Sequence, residues 1–374
     1  MLSLKNLSDP FSKLIIVYLF WVASWIIAGS LFEVYFFSLG LSIQEIVATS
    51  FFWYIGSLIL LPLFKKIDSK KFMLFGIVIA LISVIALYYI RVKEMGFAYR
   101  FLLSLTHFFF WVPFNIAFYE FRKNNNAQLG ALYYSIGPLL TIILPALSGL
   151  IAANVGYGSL YLLAAVFYAI TLILALLFLE NKKYEYDLVK SIKSIAGLRS
   201  LIFLEGFSAN MVVSVTLETM LLIYTNKPLE FGTFISLATA FSILATFLTA
   251  KISDTKKRRR ELVIVSVIAF GLSVIFASGA KDITLFFFGF ALISFFKTVF
   301  FPLPLALVVD NSNDLVGTMI GREFMLNVGR VVGSIVGFIL LFNYSISFVL
   351  FINGVSLLLY PIFFELKKRK LSKI

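Results

Sequence analysis

Glu323, Asn327, Arg330 and Ser334 follow a 4, 3, 4 spacing, which places all four on one stripe of a helix. The run that carries them, 316–342, is otherwise apolar. An ionisable group at bilayer depth costs at least ~2.5 kcal/mol, so such groups face a cavity or a partner. Arg330, near midspan, can bind an organic anion, and Glu323 can neutralise it when no anion is bound. The alternative is a structural pair that offsets charges on other helices. Gly329, Gly333 and Gly337 form a neighbouring stripe that permits close helix packing.

A second pattern occurs twice. Ser104, His107 and Trp111 have the spacing of Ser294, Lys297 and Phe301, and Arg100 lies two turns from His107 on the same face. Lys297 falls at the middle of its run, where an unpaired ammonium would lose its proton or draw water inward. His107, with an ordinary pKa of ~6.5, is a candidate proton carrier or, alternatively, a hydrogen-bonded packing residue. Lys297, Arg330, His107, Asn327 and Trp111 therefore form the candidate substrate-binding set, with Lys297 and Arg330 on the anion and His107 and Arg100 on the opposite wall.

Glu33 ends the row Trp21, Trp25, Gly29, Glu33, and Glu218 ends Asn210, Ser214, Glu218. Either carboxyl can exchange a proton, although closeness to the span ends favours outer headgroup water. His107, Glu33, Glu218 and Glu323 are the candidate coupling residues. Glu205 and Arg322 are expected to act as gate or anchoring charges near the inner side. Tyr134, Thr141 and Ser148, with Thr239, Ser242 and Thr246, add uncharged hydrogen-bonding walls.

Composition limits the chemistry. The chain has no Cys and a single His, which excludes disulfides and thiol catalysis and argues against a metal held by protein ligands. No nucleophile beside a base and no phosphate-cradling glycine loop is present, so no cofactor, enzyme activity or nucleotide-driven pump is expected. The net charge of +13 lies in short loops between apolar runs, a pattern that sets membrane orientation and does not indicate nucleic acid.

The elements that must position these residues are membrane helices. With 61% hydrophobic and 14% charged residues and a mean hydropathy of +0.99, the chain has too little polar surface for a soluble globule. Twelve runs are long enough to cross ~30 Å of hydrocarbon at ~1.5 Å per residue. They are 14–35, 43–64, 72–90, 97–121, 129–155, 159–179, 201–224, 231–251, 262–278, 283–309, 316–342 and 346–364. Assigning both termini and the even-to-odd loops to the cytoplasm places most of the 32 Lys and Arg there. Glu33, Glu45 and the basic run from Lys66 return at one shared offset as Glu218, Glu230 and the run from Lys251, as a duplicated half would give. The expected fold is an all-α membrane protein of two pseudosymmetric six-helix bundles, 1–180 and 198–374. The polar segment 181–197 joins them as a cytoplasmic linker with a short amphipathic helix.

Several stretches resemble the major facilitator superfamily across nearly the whole chain. Gly40-Leu41-Ser42 and Glu45-Ile46, leading to the loop at Lys66–Lys71, are similar to the family's entry into its helix 2 to 3 loop, and Lys251-Ile252-Ser253-Asp254 with the basic run 256–260 is nearer that pattern. Arg100, Pro113 and Glu120 ahead of Arg122-Lys123 resemble its helix 4 motif, while Gly130, Gly137-Pro138, Pro145 and Gly149 form a degenerate helix 5 motif. The resemblance implies gating loops at Asp68, Lys70, Lys71, Asp254 and Arg258, a coupling role for Arg100, and a cavity lined by helices 1, 4, 7 and 10 with 5, 8 and 11. It implies a monomeric secondary transporter of a small organic solute, embedded in the cell membrane; the midplane charges add the expectation of an anionic substrate, and His107 or an outer Glu that of proton coupling. An efflux antiporter of hydrophobic compounds and a transporter-like receptor that moves nothing are the alternatives.

Overall fold

The computed structural model describes residues 9–121, 126–209, 216–252 and 259–371. In chain order the first elements are α1 (Pro10–Gly29), α2 (Phe32–Ser38), α3 (Ile43–Leu63), β1 (Lys66–Asp68), α4 (Ser69–Tyr89), α5 (Met95–Thr106), a π-helical turn (His107–Trp111) and α6 (Val112–Glu120). They are followed by α7 (Asn126–Thr141), α8 (Leu144–Asn154), α9 (Tyr157–Phe178), β2 (Lys183–Glu185), α10 (Leu188–Ser194), α11 (Arg199–Ala209) and α12 (Thr216–Leu221). The remainder comprises α13 (Pro228–Ile252), α14 (Arg259–Ser278), α15 (Ile283–Phe300), α16 (Pro302–Asp310), α17 (Leu315–Asn343) and α18 (Ile346–Leu371).

Local chemistry explains where these helices start and break. Ser42 and Glu45 form a reciprocal capping box at the head of α3, and Asp282 caps α15 through the Leu285 amide, so orphan amide donors are satisfied. Pro145 and Pro302 sit in the first turns of α8 and α16, where a missing amide hydrogen costs nothing but the preceding helix cannot run through. Two of the sequence's long apolar runs are therefore bent rods. The run 14–35 also breaks, after Gly29, which leaves Glu33 in the first turn of the short α2. Glu218 has the same position in α12.

Among the described residues, ten helices are long and apolar enough to cross a membrane, and Pro228–Ile243 is a shorter apolar helix. Leu177, Ile173, Leu162 and Phe75 on α4 and α9 are exposed, as expected of surfaces that meet lipid rather than water.

The all-α expectation needs one amendment. β1 and β2 pair antiparallel, with Lys66 opposite Glu185, Ile67 opposite Tyr184 and Asp68 opposite Lys183. Ile67 and Tyr184 point inward while their neighbours face out, so three residues of alternating character are enough for a ribbon. The linker is thereby fixed to the loop after α3. Tyr186 reinforces this through its hydroxyl, which donates to the Leu61 carbonyl at 2.7 Å.

Helices α1, α3, α4, α5 and α9 pack mainly on one another, as do α14, α15 and α18, while α13 packs on α15 and α17 on α11 and both also lie across the seam. The two sets meet where α3 lies against α17 and where α7 and α8 lie against α13. At the second contact Gly149 faces the Pro228 carbonyl and Gly232 faces the Pro145 carbonyl, closely enough that a Cβ at either position would collide with backbone. Ser236 joins the same pair of helices, accepting from the Ala146 amide and donating to the Thr141 carbonyl.

Candidate functional site

A cavity of about 270 Å³ lies between the two sets of helices. The end of the molecule that carries the β1–β2 ribbon is its linker end. Trp25 and Gly29 of α1, Trp53 of α3, Arg100 and Leu103 of α5, and Tyr134 and Thr141 of α7 form one wall. Glu218 of α12, Thr239 and Ser242 of α13, Phe290, Ser294, Lys297 and Thr298 of α15, and Phe301 form the other. A mostly apolar lining with a few convergent polar groups is the usual composition of a small-molecule site.

The charges in this cavity differ in how they are held. Arg100 donates from Nη2 to Glu33 Oε1 at 2.8 Å, both side chains being almost completely buried. Its guanidinium lies between the rings of Phe32 and Trp53, at 3.7 and 3.9 Å from their centroids. A planar, delocalised cation suits that sandwich as an ammonium would not. Glu33 is 0% exposed, so the headgroup-water placement expected from its closeness to the span end does not hold. The break after Gly29 turns α2 inward and delivers the carboxyl to Arg100.

Lys297 has the opposite setting. Its ammonium forms no hydrogen bond and no ion pair within 4 Å among the described residues, and the carboxylate whose charge it feels is Glu218. Glu218 in turn faces Glu33, with Arg100 and Lys297 as its cationic neighbours. Two carboxyls from α2 and α12 and two cations from α5 and α15 thus form one quartet, in which Lys297 is the member left open.

Arg330 does not join it. The structure separates the two cations that the sequence paired as an anion clamp: Lys297 lines the cavity and Arg330 does not. Arg330 donates to Asn327 Oδ1 at 3.0 Å and lies 3.5 Å from Glu323 Oε1, with its guanidinium 5.0 Å from the centre of the Tyr54 ring. Asn327 also donates to Ser57 Oγ at 2.9 Å and to Glu323 Oε1 at 3.1 Å. The one-stripe spacing does bring Glu323, Asn327 and Arg330 together, but as a buried polar link from α17 to α3.

His107 and Trp111 also lie off the cavity lining. His107 packs against Trp53 and Tyr54, with ring centroids 6.3 and 5.6 Å away, at the head of the π-helical turn. Trp111 belongs to an aromatic cluster with Tyr18, Trp21 and Tyr133. Both were matched to cavity residues, Lys297 and Phe301, by pseudosymmetric spacing. The π segment begins at His107, and its wider turn rotates the side chains after it, Trp111 among them, about the helix axis, so equal spacing does not give equal facing there.

On the linker side, Tyr134 stacks on Phe301 with centroids 6.3 Å apart and separates the cavity from a second one of about 20 Å³ lined by Asn115, Tyr133, Arg322 and Glu323. That volume suits one water molecule. Next to it Arg322 donates to Glu205, both buried.

Of the expected hydrogen-bonding walls, Tyr134, Thr141, Thr239 and Ser242 line the cavity, Ser148 is buried away from it, and the Thr246 side chain lies outside the described residues. Among the expected gating residues, Lys71 meets Asp68 at 3.7 Å and the Lys70 ammonium donates to the Leu176 carbonyl. The second contact ties the loop to α9, and neither reaches the α11–α18 set. Asp254 and Arg258 lie outside the described residues. Trp53, which stacks on Arg100 and lines the cavity, had no signal in the sequence, since its counterpart one repeat later is Ala238. In the described residues no group of three or more His, Cys, Asp or Glu could hold a metal ion.

A family model described as "Major Facilitator Superfamily" matches residues 14–202 and again 198–373. The uncharacterized protein YqgE of Bacillus subtilis (strain 168) is 24% identical over 308 residues, which is 74% of this chain and 69% of the relative. Among solved structures, FucP, described as a Major Facilitator Superfamily transporter in the outward conformation, superposes with a TM-score of 0.71 at 12% identity, covering 96% of this chain and 98% of the other. The nucleoside transporter NupG gives 0.68 at 15% identity over 96% and 99%. The human organic anion transporter MFSD10 gives 0.63 at 13% over 95% and 97%. At these identities the structural matches establish the fold.

Proposed function

The chain belongs to the Major Facilitator Superfamily, and from that premise we propose that it is a proton-coupled secondary transporter carrying a small organic anion across the cell membrane by alternating access. In this reading twelve spans form two six-helix bundles, 1–180 and 198–374, joined by the linker 181–197, with both termini cytoplasmic and the chain acting as a monomer. The observation that carries it is the cavity between the two sets of helices, into which Lys297 presents an ammonium without a bonded partner among the described residues. A half-buried cation without a bonded partner is costly, and a ligand that supplies the missing negative charge is bound strongly in return. Aromatic and aliphatic walls around that point fit a solute whose remaining body is apolar.

Alternating access requires the two sets to part at one end while they close at the other. The Tyr134–Phe301 stack with the Arg322–Glu205 pair at the linker end, and the α8–α13 contact, are the seals that would open in turn. The test is thermal stabilisation of the purified protein by solute classes, followed by flux of the best binder into vesicles. Organic anions are expected to stabilise the wild type and not Lys297→Met. Stabilisation by hydrophobic cations instead, lost in Glu218→Gln, would turn the reading to efflux. Absence of flux for every binder would remove transport altogether.

A further inference from the structure

The glycines on the cavity lining are unlike those at the helix contacts. At Gly149, Gly206, Gly232, Gly321 and Gly329 an added Cβ would collide with the carbonyl of a neighbouring segment, so the missing side chain serves close packing. Gly29 of α1 and Gly137 of α7 line the cavity, and there an added Cβ would meet nothing within 4 Å among the described residues. Neither has a positive φ. Ser30, which caps α1 after Gly29, is right-handed with φ −66°, so the break there does not require a glycine. Gly137 precedes Pro138, where a missing Cβ also eases the chain past the ring; Gly29 has no such second use. Glycine weakens a helix relative to alanine, and at Gly29 neither a contact nor a dihedral angle offsets that. What it leaves is room.

That room has a shape. Helices α1 and α7 pack side by side, on the wall opposite Lys297. Trp25 lies one turn before Gly29 and Tyr134 one turn before Gly137, each on its glycine's face of the helix, and all four line the cavity. Each helix thus presents a ring with a notch beside it, and a flat apolar body can lie against the rings and over the bare backbone. Volume decides how large that body is. A cavity of ~150 Å³ holds one benzene ring, so about 270 Å³ has space for a second fused ring and a carboxylate. We propose that Gly29 and Gly137 floor a recess that takes the ring system of a bicyclic aromatic acid whose carboxylate meets Lys297, and that their missing side chains set the size of the solute the cavity accepts. The inference rests on the reading of this cavity as an organic-anion site and adds to it which residues measure the solute.

The experiment measures binding of 2-naphthoate, and of benzoate, which has one ring less, to the purified protein. The wild type is expected to bind 2-naphthoate about tenfold or more tightly than benzoate. Gly29→Val is expected to lower that ratio by about tenfold or more, since even one methylene in a fitted apolar pocket changes affinity by that order. Gly29→Ala is expected to lower the ratio severalfold and to unfold at the wild-type temperature or above, because its Cβ enters open space and alanine favours the helix. It supplies the test where the valine variant does not fold. Gly137→Ala is expected to shift the ratio in the same direction. A ratio that any of these variants leaves unchanged overturns the proposal, as does a wild type that binds benzoate as tightly as 2-naphthoate; both results leave the anion reading standing. A lower unfolding temperature for Gly29→Ala overturns it too, since position 29 would then face protein and not solute. If the wild type binds neither acid, the anion reading falls and this inference with it.

Discussion

Arg100 and Lys297 are both cations deep in an apolar shell, and their surroundings predict opposite responses to removal. Arg100→Met leaves Glu33 buried and uncompensated, which should cost about 3–5 kcal/mol of stability, measured as loss of resistance to unfolding in detergent. Arg100→Met combined with Glu33→Gln should recover much of that, because the orphaned charge is gone. Lys297→Met breaks no bonded pair among the described residues, so the unfolding temperature should hold or rise while solute binding is lost. Along α17 the sequence showed which charges share one face, which is why Glu323, Asn327 and Arg330 fell together as expected. It did not show which charges meet across helices. Glu33 and Arg100 are 67 positions apart, and their pairing depends on a break after Gly29 and a stacking partner, Trp53, that no periodicity marks.

For the helices, the reciprocal arrangement of Gly149 under Pro228 and Gly232 under Pro145 makes the α8–α13 contact intolerant of bulk. Gly232→Val should push the helices apart at a cost of about 1–3 kcal/mol. It should also raise severalfold the rate at which a thiol reagent reaches a cysteine placed at Ser30, a lining position in a chain that has no Cys of its own. An unchanged rate would mean that this contact does not seal the cavity. The ribbon makes a weaker claim. Lys66 and Glu185 meet at 2.7 Å with both side chains well exposed; the hydrogen bond between them, with the attraction of their charges, holds Glu185 below the usual carboxylate range and Lys66 above the usual lysine range. The pair's contribution is present above about pH 4.3 and below about pH 10.4, is lost as Glu185 protonates in acid, and is small because of exposure. Glu185→Gln should therefore lower the unfolding temperature slightly at pH 7 and not at all at pH 3. Most of the apolar runs were readable in advance because hydropathy is local. The interruptions were less so: Pro145 and Pro302 announce two of them, but the π turn that starts at His107 has no such marker and cost the expected equivalence of Trp111 with Phe301.

Taken whole, the molecule is two packed sets of helices around one chamber, and the repeated Glu33/Glu45 and Glu218/Glu230 pattern already pointed to a duplicated plan. What the repeat could not convey was that each copy would give one carboxyl to a shared quartet while the cations would come from non-equivalent turns, Arg100 and Lys297. The linker shows the same division of labour. Its first part, through Tyr186, is bonded to the loop after α3. Its second part, α10, is capped by Asp187 and lies on α17, with the Ser191 carbonyl so near Gly321 that no side chain fits between them. The covalent bond between Tyr186 and Asp187 therefore joins two segments that are each already moored elsewhere. A gene divided at that bond should yield two polypeptides that find each other in the bilayer and co-purify with their full complement of solute affinity; fragments that stay apart would mean that the crossing strand itself, rather than the surfaces it bridges, keeps the molecule whole.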